Sequence, residues 1–225
     1  MNKLLKNLMG TVMIAATALG FAATAAQAQS EQQKLVDQSD ATLTNFMRDP
    51  EMKWLQQNFS RAKAVIIAPE IVKAGFIVGG SGGRAIVVAK AGQKWVGPSF
   101  YTMATASVGF QAGVAVSEMV TLVMTDKGFN SLLAANFKMG GDASVAAGPV
   151  GAGAKSDIAA DLITFTRAKG VYGGLNLDGT VVSSNDDWNK AFFGKPALPP
   201  DILIKNAVSN KGADKLLAEI TRYAK

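Results

Sequence analysis

The chain contains no histidine and no cysteine among its 225 residues. The commonest transition-metal ligands are therefore missing, as are a Ser-His-Asp triad, a thiol nucleophile and any disulfide framework. Charged residues make up only 18% and aromatic residues 8%, while 48% are hydrophobic. So little charge argues against a disordered acidic or basic chain and for a packed globular one. No G-x-x-x-x-G-K-[ST] loop occurs, which removes the commonest phosphate cradle. No cofactor is expected.

What is present begins with an export signal. Lys3 and Lys6 precede an apolar, small-residue run from Leu8 to Ala26, and Ala26-Gln27-Ala28 fits a small-residue cleavage site. The run approaches the length of a membrane span, but its Ala, Gly and Thr content and its closing cleavage site favour removal before Gln29. No cysteine follows for a lipid anchor. Taking 28 residues from 225 leaves 197, and losing Lys3 and Lys6 lowers the net charge from +6 to +4. That mild positive charge suits anionic surfaces and falls short of a nucleic-acid signature. The expected location is exported, periplasmic or secreted, with membrane association open.

Residues 29–60 read as a helical lead-in. Leu35, Val36, Leu43, Phe46 and Met47 recur at helical spacing; Asp49 then caps a second helix with Pro50 at its first position and Met52, Leu55 and Phe59 as its buried stripe. From Ala64 the texture turns to short β-branched runs: 64–68 (AVIIA), 75–78 (GFIV), 85–89 (AIVVA) and 118–124 (EMVTLVM). Thr125 or Asp126 caps a helix to Ala134. The Gly- and Ala-rich stretch 136–160 keeps an alternation of Ala143, Val145 and Ala147 against Asp142 and Ser144. Asp178-Gly179 signals a hairpin pairing 170–177 with Val181-Val182. Ser184 caps a helix with Trp188, Ala191 and Phe192 inward and Gly194 as its stop, and residues 212–223 form a last helix on Leu216, Leu217, Ile220 and Tyr223. The expected fold is α+β, a curved, mainly antiparallel, barrel-like sheet flanked by N- and C-terminal helices. The segments are 1–28 signal, 29–60 lead-in, 61–195 β-rich domain and 196–225 C-terminal helical segment.

Three apparent motifs have plainer explanations. Gly79-Gly80-Ser81-Gly82-Gly83 matches a G-x-S-x-G nucleophile elbow, but only Lys90 or Lys73 could act as base to Ser81. A Gly-rich hairpin loop explains it more simply. Gly80-x-Gly82-x-x-Ala85 mimics a dinucleotide fingerprint, yet strand-like residues follow where a helix should begin. Asp186/Asp187 suit a helix N-terminus. Asp157/Asp161 read as one strand face, where either could pair with Lys155 or Arg167. Nothing spaces either pair for glycoside hydrolysis or an EF-hand.

The blocks RAKAVII (61–67), KAGF (73–76), WVGPS (95–99), ASVAAGPVG (143–151) and AKGVYGG (168–174), in this order and spacing, resemble the SYLF-domain family over about residues 50–195. The resemblance implies a non-enzymatic lipid-binding module. Eukaryotic members bind phosphoinositides and, in fungi, actin filaments, whereas exported bacterial members resemble envelope lipid-binding proteins. An exported chain would not meet actin, so the implied partner is phospholipid or a membrane surface, and actin and nucleic acid are not expected. The family's basic positions carried here are Arg61, Lys63, Lys73, Lys90 and Lys169, the implied lipid-binding set. Phe76, Phe100, Tyr101 and Tyr172 are apolar candidates beside them. The competing readings are a structural, self-assembling envelope protein whose Gly/Ala-rich strands assemble with another copy or another protein, and an actin- or phosphoinositide-binding module like the eukaryotic relatives.

Overall fold

A computed structural model describes residues 29–75, 78–108, 113–151, 158–168, 171–172 and 177–225. The expected signal segment, Phe76, Asp157 and Lys169 lie outside these residues. Among the described residues no helix is long and apolar enough to cross a membrane.

The lead-in folds as expected. Helix α1 spans Glu31–Arg48, started by Ser30, whose hydroxyl accepts from the Gln33 N–H. The Asp49 carboxylate accepts from the Glu51 N–H and opens a 3₁₀ turn at Pro50–Met52, which leads into α2, Lys53–Asn58. Met52, Leu55 and Phe59 are all fully buried.

Four long strands follow: β1 Ala64–Gly75, β2 Val78–Ala91, β3 Lys94–Val108 and β4 Gly113–Val123. Helix α3 (Asp126–Leu133) is capped by Thr125. Short strands β5 (Asn136–Lys138), β6 (Val145–Ala147), β7 (Leu162–Ala168), β8 (Val171–Tyr172) and β9 (Val181–Ser184) complete one sheet of order β5-β9-β3-β2-β1-β4-β7-β6, with β8 paired to β7. Helices α4 (Asp186–Phe193), α5 (Pro199–Leu203) and α6 (Asp214–Tyr223) close the chain. Every described strand pair is antiparallel except β6 with β7. The sheet curves into a half-barrel, so the α+β expectation of a curved sheet between terminal helices holds.

The runs AVIIA and AIVVA are continuous in hydrophobicity because both faces of the sheet are covered there. Val65, Ile67, Ile86, Val88, Val120 and Leu122 face α1, α2 and α6, whose Phe46, Leu55, Leu216 and Ile220 complete that core. Ala64, Ile66, Ala85, Val87, Met119 and Val123 face the other way, onto Leu132, Phe137, Ile202 and Leu203. Double-sided burial needs uninterrupted apolar runs where single-sided burial would need alternation. The coverage then stops: the register of β1 shifts between Ala68 and Ile71, and beyond it the four strands project past their helices. Val72 is 37% exposed, Val116 42% and Val114 69%.

Five local expectations are corrected. Residues 79–83 are not a hairpin loop but the interior of β2, paired with β1 on one side and β3 on the other. Val181-Val182 does not pair with 170–177: the Asp178-Gly179 turn forms, but β9 lies between β3 and β5, and β8 pairs with β7. Asn185, not Ser184, caps α4 by accepting from the Trp188 N–H. In α4 Ala191 is exposed and Asn189 is fully buried, its Oδ1 accepting from the Phe100 N–H at 2.9 Å. Small residues after Ala143 also lose the expected alternation, since Val145 is half-buried and Ala147 exposed.

The glycines of β2 are not equivalent. A Cβ on Gly83 would lie 2.4 Å from the Glu70 carbonyl oxygen, across the irregular step between β1 and β2, whereas a Cβ on Gly82 would meet its nearest atom at 3.5 Å. Gly83→Ala is therefore expected to cost about 2 kcal/mol of stability by forcing backbone apart, and Gly82→Ala to change stability by under about 0.5 kcal/mol. Urea unfolding of the two variants checks this; equal effects would show that the close approach at Gly83 is not what requires glycine.

Candidate functional site

The basic positions do not form one patch. Arg61 ends a 3₁₀ turn after α2, is exposed, and donates to Asn58 Oδ1 at 2.8 Å. Lys63 precedes β1, and its Nζ lies 2.8 Å from Asp126 Oδ1. The Lys90 N–H donates to the Lys63 carbonyl at 2.8 Å, so these two lysines sit side by side where β1 begins and β2 ends. Lys73 lies ten positions further along β1, opposite Ser81, which at about 3.3 Å per residue puts it roughly 30 Å away at the projecting end. The structure thus brings together Arg61, Lys63 and Lys90 and sets Lys73 apart; Lys169 is outside the described residues. Of the apolar candidates, Phe100 and Tyr101 are core side chains, 0% and 1% exposed. Burial pushes the Tyr101 phenol far above its ordinary range, and its hydroxyl donates to the Leu132 carbonyl. The side chain of Tyr172 is outside the described residues.

Two cations missed in the sequence join this end. Lys94 opens β3 across the Gly92-Gln93 turn, in register with Ala91 beside Lys90. Lys127, in the first turn of α3, stands 3.6 Å from Asp161 Oδ2. The turn between β2 and β3 was a signal that could have placed Lys94. Nothing local to Lys127 pointed to Asp161, 34 residues on in the sequence.

Below Arg61 lies a cavity of about 590 Å³ lined by Trp54, Met124, Ile158, Ile163, Thr125 and Asp161, among others. The Trp54 ring packs on Phe165 at 6.0 Å, so this wall belongs to the core. A second cavity, about 500 Å³, opens beside Lys90 and Lys94 and is lined also by Val96, Phe129, Leu203 and Ile204. Ile204 is 49% exposed. Cationic heads above apolar walls are chemically suited to an anionic amphiphile.

Asp161 holds this end in shape. It pairs with Lys127 and not with Arg167, while Asp157 and Lys155 lie outside the described residues. Its carboxylate accepts from the Thr125 hydroxyl, from the Ser144 N–H at 2.9 Å and from the Ser144 hydroxyl at 2.8 Å. One acid thereby ties the α3 cap to the segment before β6 and to β7. These bonds, led by that from Thr125, hold its pKa down from 3.8 to about 2. Arg167 instead donates to Glu118 Oε2 at 2.6 Å, sits 3.7 Å from Asp49, and lies over the Phe46 ring. Asp186 and Asp187 occupy the first turn of α4, as expected for helix-dipole compensation.

The reading of Ser81 as a nucleophile finds Lys73 directly opposite it across β1 and β2, with no hydrogen bond between them among the described residues. Ser81 lies inside a strand, not on the strand-to-helix turn that an elbow requires. The dinucleotide look-alike fails likewise, because no helix begins there. No group of three or more acidic side chains that could hold a metal ion occurs among the described residues.

Comparison with known proteins agrees with the sequence resemblance. The family model described as "Ysc84: Las17-binding protein actin regulator" matches residues 104–223. The human SH3 domain-containing YSC84-like protein 1 is 31% identical over 150 residues, covering 64% of this chain and 44% of that protein. Protein YSC84 of Saccharomyces cerevisiae is 28% identical over 165 residues, covering 70% and 35% respectively. LAS seventeen-binding protein 3, from another strain of that yeast, is 29% identical over 142 residues, covering 60% and 31%. The chain belongs to the Ysc84, or SYLF-domain, family, a family of binding and regulatory proteins. It spans less than half the length of these relatives.

The Asp161 network makes a prediction with a definite sign. Because Asp161 holds its proton more weakly when folded, its stabilisation is complete above pH 3.8 and is lost as the pH falls towards about 2. Asp161→Asn should cost about 2 kcal/mol at neutral pH and flatten the acid limb of stability. Thermal melts of both proteins across that range check it; parallel curves would mean that the carboxylate charge is not what the fold uses.

Proposed function

We propose that this chain is a non-enzymatic, exported phospholipid-binding protein that takes anionic head groups at the basic end of its sheet. The observation that carries the reading is the convergence of Arg61, Lys63, Lys90, Lys94 and Lys127, against Asp126 and Asp161, at one end of the sheet beside a cavity of mixed lining and a second, mainly apolar one. Five positive and two negative charges leave a local excess of three. At about 1 kcal/mol per cation near an anionic surface this supplies only ~3 kcal/mol, weaker than millimolar binding. The apolar walls must contribute the rest, and exposed Ile204 and Leu198 supply further surface for it. Charge selects the head and burial provides affinity.

Export follows from the N-terminal pattern of Lys3, Lys6 and Ala26-Gln27-Ala28. It would keep the chain from a cytoskeleton, so the actin regulation in the family's description is not carried over to it.

Vesicle co-sedimentation tests the reading. The purified chain should bind phosphatidylcholine vesicles doped with phosphatidylglycerol, and binding should fall at high salt. Arg61→Glu with Lys90→Glu should weaken it by at least about tenfold, whereas Lys73→Glu should leave it nearly unchanged. Binding indifferent to phosphatidylglycerol, or equal sensitivity at Lys73, would overturn the site; co-sedimentation with actin filaments instead would overturn the partner.

A further inference from the structure

The opposite end of the sheet carries a different kind of site. Where β1–β4 project past their helical cover, register places Val116, Val72, Gly82 and Ala104 side by side on one face. This is the α1 face, and together with Leu35 of α1 and Trp188 of α4 it encloses a groove of about 620 Å³. That volume lies in the range of small-molecule sites.

The mouth of the groove is electrically mixed. Glu31, Lys34, Glu70 and Arg84 all line it, two acids and two bases. Arg84 stands 3.8 Å from Glu31 and stacks over the Trp188 ring at 4.2 Å. Lys34 and Glu70 are exposed and have no ion-pair partner among the described residues. A singly charged head of either sign would meet as much repulsion as attraction here. A head carrying both a phosphate and an ammonium would find a partner for each.

Size decides against a protein partner. Four strands at ~4.8 Å spacing and four residues at ~3.3 Å give a projecting apolar face of roughly 200 Å², against ~800 Å² per partner in a stable dimer. One hydrocarbon chain fits that area; a second copy does not.

We propose that this groove binds a zwitterionic amphiphile. Its chain lies on the floor formed by Val72, Gly82 and Ala104, its phosphate meets Arg84 and Lys34, and its ammonium meets Glu70 and Glu31. This is a second site, independent of the basic end and of opposite selectivity.

Calorimetric titration of the purified full chain with dodecylphosphocholine, dodecyl phosphate and dodecyltrimethylammonium, each below its micelle concentration, tests it. The zwitterion should bind at least about tenfold tighter than either singly charged probe, and affinity should rise up to about fourfold per added methylene. Gly82→Val fills the floor where space exists and should abolish binding without lowering the melting temperature; Ala104→Leu serves the same purpose should Gly82→Val fold poorly. Arg84→Gln should erase the preference for dodecylphosphocholine over dodecyltrimethylammonium. Equal affinity for all three heads, absence of binding, or wild-type binding by a folded groove-filled variant would overturn the proposal. Anionic-vesicle binding at Arg61 and Lys90 is untouched by Gly82→Val, so failure of one site is distinguishable from failure of the other.

Discussion

The sheet is longer than the helices that cover it, and the rest of the molecule follows from that mismatch. Around Ala64–Ala68 and Ala85–Ala89 both faces are buried, one under α1, α2 and α6 and the other under α3, α5 and the β5 segment. The stability of the chain concentrates there, since burial on both faces roughly doubles the apolar area that a given length of strand removes from water. Past the irregular step at Ala68–Ile71 the same strands continue under only partial cover, with Ile71 and Met103 still buried and Val72, Val114 and Val116 exposed. A sheet with one closed and one open end has two chemically different ends, and each acquires its own set of charges.

At the closed end, polar groups are spent on joining elements. Asp161 links Thr125, Ser144 and Lys127, and further along, at the irregular step, Arg167 links Glu118 on β4 to Asp49 before α2. Carboxylates committed in this way do not compete for ligand, so the surrounding lysines dominate the field at the surface. At the open end the acids Glu31 and Glu70 are exposed beside Lys34 and Arg84, and the two signs offset each other.

Much of this organisation was legible in the chain because its signals are local. Asp49, Thr125 and Gly194 announce helix ends through a side-chain oxygen or a left-handed residue, and none depends on distant partners. What depends on distant partners was not legible. The glycine run of β2 looks like a loop because glycine usually marks one, yet Gly83 is required by a carbonyl on the neighbouring strand. Asp178-Gly179 specifies a turn correctly but not which strands it joins, and β9 chose β3 and β5. The short helix α5 escaped notice because Pro199 and Pro200 read as breakers, although proline suits a first helical turn. For the candidate site, Arg61, Lys63 and Lys90 were identifiable as basic positions, but their separation from Lys73 is a property of strand length. That length was hidden once β2 had been split at its glycines.

The family model and most of the basic residues of the candidate site cover different parts of the chain. The matched region, 104–223, holds the end of β3, all of β4, the Asp161 network and the helices after β9, which are the scaffold. Arg61, Lys63, Lys90 and Lys94 precede it, as do Lys34, Glu70 and Arg84. A shared scaffold carries no obligation of shared ligand, because function resides in side chains placed on a fold. The basic end and the mixed-charge groove therefore have to be argued from this chain's own side chains, most of the charged ones in its first hundred residues and Lys127 beyond them. It is their placement at opposite ends of four long strands, and not the family's name, on which the two proposed head-group preferences rest.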